Sequence, residues 1–294
     1  MSQKNWEVVT EHRCVLGEGP VWDSKKKRIF WVDILNGEIR YYDPATNKRI
    51  LFNTGQFTGA VALRRSGGLI AALKDGFAAI DLENETLQIV VRAETHLPDN
   101  RFNDGKCDPA GRFWAGSMSI SDSPHAGSLY MLEKDFTLVT KIAGVTCSNG
   151  LAWSPDHETL YYIDTPTRNI VAYHYDAGSG NIVNGRIVAR VPQTEGYPDG
   201  MTIDTEGMLW VALWDGWKIA RYNPYTGKQL EQIRLPVSRV TSCVFGGDTL
   251  EDLYITSARV GLSENDLIQQ PLSGSLFVIK DSGFKGMDAF EFNG

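Results

Sequence analysis

The sequence of 294 residues is poor in cysteine, and its cysteines are not arranged as a metal cluster or a disulfide framework. No Cys-x-x-Cys pair occurs, which predicts reduced thiols and argues against a thiolate zinc site. Gly-x-Ser-x-Gly and His-Glu-x-x-His are also absent, which argues against the common serine hydrolases and zinc proteases. The four cysteines are widely separated: Cys14, Cys107, Cys147 and Cys243.

Long apolar runs and blocks of like charge are missing as well. No apolar run approaches the length that spans a membrane, and residues 1–7 do not resemble the apolar core of a signal peptide. We therefore expect a cytoplasmic protein with no membrane partner. The 29 Lys and Arg against 36 Asp and Glu give a net charge of −7 without a basic block, so we expect no nucleic-acid partner.

Helical periodicity is scarce. It is confined to 262–270, where Ser263 and Asp266 have the spacing of a capping box, and this predicts one short helix. Elsewhere the apolar residues alternate or form blocks of strand length. The 29 Gly and 12 Pro, together with 8 Trp, 11 Tyr and 12 Phe, indicate many turns between aromatic-rich strands. The chain is predicted to be all-β.

A repeated unit runs along the whole chain. It consists of a polar turn, a short aromatic or β-branched strand, a Gly or Asn turn and a second such strand, recurring at about 40–50 residues. Six copies predict a six-bladed β-propeller as a single domain over residues 1–294. The segment Trp6 to His12 would be the outer strand that closes the last blade. A β-sandwich is the alternative, but sandwiches do not repeat one turn sequence six times. The copies begin at Asp23, Ser66, Asp108, Ser154, Asp204 and Asp248.

Alignment of the repeats places polar side chains at one position, directly before the innermost strand of each blade. In a propeller these positions converge at one mouth of the central channel. Five of the residues precede a glycine, and the last precedes Cys243. They are Glu18, Thr58, Asp104, Asn149, Asp199 and Ser242.

Carboxylates collected in one channel repel each other unless a cation or a bound substrate compensates. Glu18, Asn149 and Asp199 offer hard oxygen ligands, which suit calcium, magnesium or manganese better than a structural zinc. Three protein ligands leave coordination positions for water or substrate, as in a catalytic site. Asn-Gly and Asp-Gly are also common turn dipeptides, which is the alternative interpretation. It does not account for Glu18, since glutamate has no special turn preference.

Four longer motifs surround these positions: Leu16-Gly17-Glu18-Gly19-Pro20, Arg101-Phe102-Asn103-Asp104-Gly105-Lys106, Ser148-Asn149-Gly150-Leu151-Ala152-Trp153 and Pro198-Asp199-Gly200. Together they resemble the family that groups senescence marker protein (regucalcin), gluconolactonase and luciferin-regenerating enzyme, over essentially the full length. The resemblance implies a six-bladed propeller that hydrolyses sugar-acid lactones with one divalent cation. Calcium is the first candidate, with magnesium, manganese, zinc and iron as alternatives.

By the same resemblance, the metal ligands are Glu18, Asn149 and Asp199, and the substrate contacts are Arg101 and Asn103. Asp199 is our candidate to accept the proton of the attacking water, with a metal-bound hydroxide as the alternative. The partner would be a small-molecule sugar lactone, and we expect a monomer or a weak homo-oligomer.

One position departs from the regucalcin pattern. Ser121 stands where regucalcin-like members have a glutamate, which puts the sugar preference in question. The polar ribbon from Ser119 to Gly127 is either a lid or a mobile solvent loop. Trp214 and Trp217 would either form an apolar wall for a sugar ring or pack within a blade.

Two other functions fit the same pattern. The same cation site would serve an esterase or an organophosphate hydrolase. A non-enzymatic calcium-binding or scaffold propeller is the other alternative, because many propellers only bind partners. A channel lined with carboxylates favours an enzyme, and Arg101 with Asn103 favours a polyhydroxylated lactone.

Overall fold

The computed structural model describes residues 5–294 and forms six separate four-stranded antiparallel sheets. The innermost strand of each sheet contacts the innermost strand of the next, and the last contacts the first, so that the sheets form a ring. The predicted all-β, six-bladed propeller is confirmed, and the β-sandwich alternative is wrong. In the described part of the chain, no helix is long and apolar enough to cross a membrane.

The first three blades follow the chain order from the channel outward. Blade 1 contains β2 (Gly17–Asp23), β3 (Arg28–Asp33), β4 (Glu38–Asp43) and β5 (Lys48–Asn53). Blade 2 contains β6 (Thr58–Leu63), β7 (Leu69–Leu73), β8 (Gly76–Asp81) and β9 (Thr86–Arg92). Blade 3 contains β10 (Asn100–Cys107), β11 (Phe113–Ser119), β12 (Gly127–Leu132) and β13 (Leu138–Val145).

The remaining blades have the same layout, except that the last is built from both ends of the chain. Blade 4 contains β14 (Ser148–Trp153), β15 (Thr159–Asp164), β16 (Asn169–Asp176) and β17 (Asn181–Arg190). Blade 5 contains β18 (Tyr197–Ile203), β19 (Leu209–Trp214), β20 (Lys218–Tyr222) and β21 (Gln229–Arg234). Blade 6 contains β22 (Val240–Gly246), β23 (Asp252–Ser257), β24 (Phe277–Ile279) and β1 (Glu7–Val8).

Burial explains the sequence pattern of each blade. The innermost strands β6 and β14 are buried at every residue, because both of their faces are covered. The outermost strands β5 and β9 alternate between exposed and partly buried residues, as expected where one face meets water. Hydrophobic residues therefore concentrate toward the channel side of each blade and between neighbouring blades.

The sixth blade is completed by β1, which pairs antiparallel with β24. Glu7 lies opposite Val278, and Val8 lies opposite Phe277. The Trp6 ring meets the Phe277 ring edge-on, with centroids 5.5 Å apart. The paired strand is shorter than the predicted segment from Trp6 to His12.

The predicted short helix is confirmed as α1 (Glu264–Gln269). Ser263 is its N-cap, and its hydroxyl oxygen accepts a hydrogen bond from the Asp266 backbone N at 3.2 Å. Asp266 Oδ2 accepts in return from the Ser263 backbone N at 3.0 Å. The two bonds form a capping box, which satisfies two backbone donors at the helix start.

A bulge interrupts the pairing of the innermost strand in every blade, at the position of the repeat. Asn149-Gly150 and Asp199-Gly200 therefore lie inside strands, and the interpretation of them as turns is wrong. A Cβ on Gly150 would lie 2.8 Å from Asp199 O, so only glycine lets these two strands approach so closely. Bulges redirect side chains, which aims this position at the channel mouth. The shifts fall between Glu18 and Val21, Thr58 and Ala60, Phe102 and Gly105, Asn149 and Leu151, Pro198 and Met201, and Val240 and Ser242.

Candidate active site

A cavity of about 870 Å³ lies where the bulged ends of the innermost strands meet. All five site residues proposed from the sequence line it, although they come from four different blades. The structure therefore brings them together in one site. They are Glu18 on β2, Arg101 and Asn103 on β10, Asn149 on β14 and Asp199 on β18.

Three carboxylates are buried in this region. Burial raises the pKa of Glu18 well above its usual range, and the charges of Asp199 and Asp104 raise it further. The pKa of Asp199 is raised in the same way, by burial and then by the charge of Asp104. Burial also raises the pKa of Asp104. Carboxylates at such positions are stabilised in their charged form by a bound cation.

One partly buried ammonium group, that of Lys106, accompanies these carboxylates. Lys106 Nζ donates a hydrogen bond to the Met201 backbone oxygen at 2.6 Å. Burial lowers the pKa of Lys106, while the charge of Asp104 acts in the opposite direction. Alignment of the repeats did not identify Lys106 as a site residue. The sequence signal that could have identified it is its position directly after Asn103-Asp104-Gly105 on an innermost strand.

Asn149 presents an unused oxygen to the cavity. Its Nδ2 donates to Thr165 Oγ1 at 2.9 Å, and Thr165 Oγ1 donates to the Pro198 backbone oxygen at 2.8 Å. Because the only Thr165 hydroxyl proton goes to Pro198, Thr165 accepts from the amide nitrogen of Asn149, which fixes the amide orientation. Asn149 Oδ1 is buried and has no hydrogen-bond partner among residues 5–294. This oxygen is free to act as a ligand.

Arg101 and Asn103 form one unit on β10. Arg101 Nη1 donates to Asn103 Oδ1 at 2.7 Å and to the Phe102 backbone oxygen at 3.0 Å. Asn103 Nδ2 donates to the Ser148 backbone oxygen at 2.9 Å, which ties this pair to β14. Burial lowers the pKa of Arg101, while nearby acidic groups, including Glu18, raise it. Asn103 therefore holds the guanidinium at the cavity wall.

The hydroxyl of Ser121 is directed away from this arrangement. Ser121 Oγ donates to the Asp99 carboxylate, and Ser119 Oγ donates to Asp99 Oδ2 at 2.7 Å. Ser121 is not among the residues that line the cavity. Two other residues of the ribbon from Ser119 to Gly127, Ile120 and Asp122, do line it. The lid role of this ribbon stays a prediction.

The two tryptophans proposed as a wall occupy different environments. Trp214, at the end of β19, lines the cavity, and the Arg239 guanidinium carbon lies 4.7 Å from its ring centroid. Trp217 is 41% exposed and lies outside the cavity lining. Only Trp214 is placed to contact a ligand in this cavity.

A second group of possible metal ligands lies outside the cavity lining. His12, Cys14 and Asp33 each have a ligand atom within 4.8 Å of the others. Asp33 accepts hydrogen bonds from the backbone N of residues 15 and 16 at 2.9 and 3.0 Å. Asp164 has the same role in blade 4, where it accepts from the backbone N of residues 146 and 147. Asp33 and Asp164 thus have the same structural role in two blades, since each fixes the backbone just before an innermost strand.

The chain matches known proteins over nearly its whole length. A profile of the SMP-30/Gluconolactonase/LRE-like region matches residues 16–259. Regucalcin of Xenopus laevis is 40% identical over 299 residues, covering 100% of both chains. A Bacillus subtilis (strain 168) protein named as a candidate sugar lactone lactonase, YvrE, is 43% identical over 267 residues, covering 90% of this chain and 91% of that protein.

A solved structure agrees with these sequence matches. Regucalcin from Agrobacterium tumefaciens str. C58, described as a calcium-binding protein, superposes with a TM-score of 0.94 at 26% identity, covering 99% of this chain and 98% of that one. The shared fold extends around the whole ring of blades. This chain belongs to the SMP-30/gluconolactonase/LRE-like family.

Proposed function

We propose that this protein is a lactonase that hydrolyses the lactone of a sugar acid to the open acid, with one divalent cation held by Glu18, Asn149 and Asp199. The observation that carries the proposal is the buried Oδ1 of Asn149, which has no hydrogen-bond partner in the described part of the chain and lies in the same cavity as two buried carboxylates. The family membership and the lactonase named among the relatives support the reaction type.

The donor set fits a hard cation. Two carboxylates and one amide oxygen are ligands typical of calcium, magnesium and manganese, and the calcium-binding relative favours calcium. The carboxylates balance the ionic charge, and Thr165 holds the amide with its oxygen toward the site. When bound, the cation would supply Lewis-acid polarisation of the lactone carbonyl oxygen.

Side chains of the cavity would orient the substrate and transfer the proton. Arg101 orients the lactone through its guanidinium, and Asn103 keeps that guanidinium in place. Asp199 accepts a proton as water adds to the carbonyl carbon. The bond between the carbonyl carbon and the ring oxygen then breaks, and the proton passes to that oxygen to give the hydroxy acid.

The test is hydrolysis of a panel of aldonolactones by chelator-treated protein, followed as acid release at constant pH, with each cation added back separately. We expect turnover that requires a cation and that Glu18→Gln abolishes at the cation concentration saturating the wild type. Glu83→Gln, at a glutamate whose side chain is 87% exposed and which does not line the cavity, is the matched control and is expected to behave as wild type. Tight cation binding without turnover on any lactone would contradict the proposal and favour the phosphoester or binding-protein alternatives.

A further inference from the structure

One charged side chain of the cavity lining has no opposite charge to balance it within that lining. The two carboxylates of the floor, Glu18 and Asp199, would balance a divalent cation. The negative charge of Asp122 offsets the positive charge of Arg101. Arg239 is the remaining charged residue of the lining. With the cation bound, the cavity therefore has a surplus of positive charge at Arg239.

Arg239 enters the cavity from the side opposite Arg101. It directly precedes β22, the innermost strand of blade 6, whereas Arg101 lies on β10 of blade 3. In the ring, two blades separate blade 3 from blade 6 in either direction. The proposed cation ligands come from blades 1, 4 and 5, which lie between them. A lactone bound at the cation would therefore have one guanidinium on each side.

The position of the Arg239 guanidinium is fixed before any ligand binds. Its central carbon lies 4.7 Å from the Trp214 ring centroid, and its Nε donates to Asp215 Oδ1 at 3.4 Å. A Cβ on Gly261 would lie 2.7 Å from Arg239 Nη1, so this small residue leaves room for the guanidinium. The Arg239 side chain is 17% exposed. Stacking on Trp214 adds a cation–π attraction to these contacts.

The two terminal nitrogens of this guanidinium are available to a ligand. Nη1 and Nη2 of Arg239 have no hydrogen-bond partner within residues 5–294. Asp215 contacts the inner Nε, is 48% exposed and lies outside the cavity lining. The nitrogens of a guanidinium form a planar set of donors, which matches two oxygens of a carboxylate or a phosphate. Arg239 is therefore suited to bind an anionic group.

Other polar groups of the wall are suited to sugar hydroxyls. Thr146 Oγ1 accepts a hydrogen bond from the His125 backbone N at 3.1 Å and keeps its own proton for a ligand. The phenol of Tyr197 lines the same cavity and has no hydrogen-bond partner in the described part of the chain. A ligand that extends from the cation to Arg239 can therefore be a polyhydroxylated sugar acid.

We propose that Arg239 binds a second anionic group of the substrate, at the end of the sugar chain remote from the lactone carbonyl. The preferred substrates are then lactones of sugar acids that carry a terminal carboxylate or phosphate, ahead of lactones of simple aldonic acids. The inference rests on the proposed lactonase function and specifies its substrate class. It assigns Arg239 as the specificity-determining residue.

The first experiment compares pairs of lactones that have the same ring and differ only at carbon 6. Glucono-1,4-lactone is paired with glucaro-1,4-lactone, which has a terminal carboxylate, and glucono-1,5-lactone is paired with 6-phosphoglucono-1,5-lactone. Each rate is divided by the hydroxide-catalysed rate of the same lactone. We expect kcat/KM to be about ten- to a hundredfold higher for an anionic lactone than for its neutral partner, as is typical of hydrogen bonds to charged groups. A gain confined to one pair identifies the anionic group as carboxylate or as phosphate.

The outcomes separate this inference from the proposed function. Cation-dependent hydrolysis of the neutral lactones, with no gain for either anionic partner, would overturn the inference and leave the lactonase proposal intact. No hydrolysis of any lactone would overturn the lactonase proposal itself, and the inference with it.

The second experiment tests the role of Arg239, and its readout is the ratio of kcat/KM for the anionic lactone to that for its neutral partner. We expect this ratio to fall about tenfold in Arg239→Gln. In Arg239→Lys, which keeps the charge but loses the planar set of donors, the ratio should fall by a smaller factor. Arg234→Gln, at an exposed arginine of β21 outside the cavity lining, is the matched control and should keep the wild-type ratio.

Ionic strength gives an independent readout of the same contact. Added salt should lower the ratio in the wild type more than in Arg239→Gln, because salt screens a charge that only the wild type has. A wild-type ratio in both Arg239 variants, each shown to be folded by thermal unfolding, would overturn the inference.

Discussion

Asn149 and Thr165 are joined by a hydrogen bond of 2.9 Å that decides which atom of the asparagine amide faces the cavity. Thr165 belongs to the connection after β15, and its own proton goes to Pro198, the residue before Asp199. One hydroxyl therefore links two of the proposed ligands, which come from neighbouring blades. Replacing a residue that holds a metal ligand in this way commonly lowers metal affinity or activity about 10- to 100-fold.

Thr165→Val should weaken cation binding about tenfold, because the amide of Asn149 loses the acceptor that fixes its orientation. The measurement is calorimetric titration of chelator-treated protein with calcium. Thr167→Val is the matched control, because the Thr167 hydroxyl bonds to the Asp164 backbone oxygen nearby and is exposed. Wild-type affinity in Thr165→Val would show that the hydrogen bond does not position the ligand.

Asp199→Asn separates ligation from proton transfer. Asparagine keeps an oxygen ligand but is a far weaker base, so we expect kcat at saturating cation to fall about 10²- to 10⁴-fold. Glu18→Gln, which alters a ligand with no assigned proton transfer, should lose affinity but retain more of kcat at saturating cation. If Asp199→Asn retains kcat within tenfold of wild type under saturation, Asp199 acts as a ligand only.

Asn103→Ala should lower kcat/KM about tenfold or more, because the charged Arg101 guanidinium loses the acceptor that orients it. The effect should appear mainly in KM. A double-mutant cycle with Arg101→Ala tests the mechanism. If Asn103 acts through Arg101, the double variant is no worse than Arg101→Ala alone, whereas additive losses would indicate an independent substrate contact.

The four cysteine thiols should resist alkylation in the native state at pH 8. Burial raises the pKa of Cys14, Cys147 and Cys243 to about 12 and that of Cys107 well above its ordinary value. Because the thiolate is the reactive form, the labelling rate should rise about tenfold per pH unit below the pKa, as long as the fold persists. Mass spectrometry after iodoacetamide treatment measures it, with urea-unfolded protein as the control. Rapid native labelling at pH 8 would contradict this prediction.

Trp6→Ala should reduce the free energy of unfolding by about 2 kcal/mol, because it removes the partly buried ring that packs on Phe277 in the last blade. Denaturant titration measures the loss. Tyr225→Ala, at a ring that is 68% exposed, is the control and should change stability little. Equal stabilities of the two variants would show that β1 contributes little to closing the ring.

The propeller could be predicted from sequence because each blade repeats the same turn and strand pattern. The repeat register also placed Glu18, Asn149 and Asp199 among the six residues that converge at one mouth of the channel. The turn interpretation of Asn149-Gly150 failed because the bulge inside the strand is a tertiary feature, set by the approach of the next blade. Thr165 was missed because it lies in a connection outside the repeat.

The sequence shows that Ser121 replaces the glutamate of regucalcin-like members, but it does not show which partner the Ser121 hydroxyl binds. The hydroxyl bonds to Asp99, which lies 22 residues earlier and shares no motif with it.

The pairing of Glu7 with Val278 has a consequence for how the protein is made. During synthesis, five blades can assemble before the sixth, which lacks a strand until Phe277–Ile279 has left the ribosome. The first strand must stay unpaired through this interval, exposing an edge to other chains. Contacts of such large sequence separation also form slowly. Closure of the ring by this pairing is therefore expected to be the last step in the assembly of the six blades.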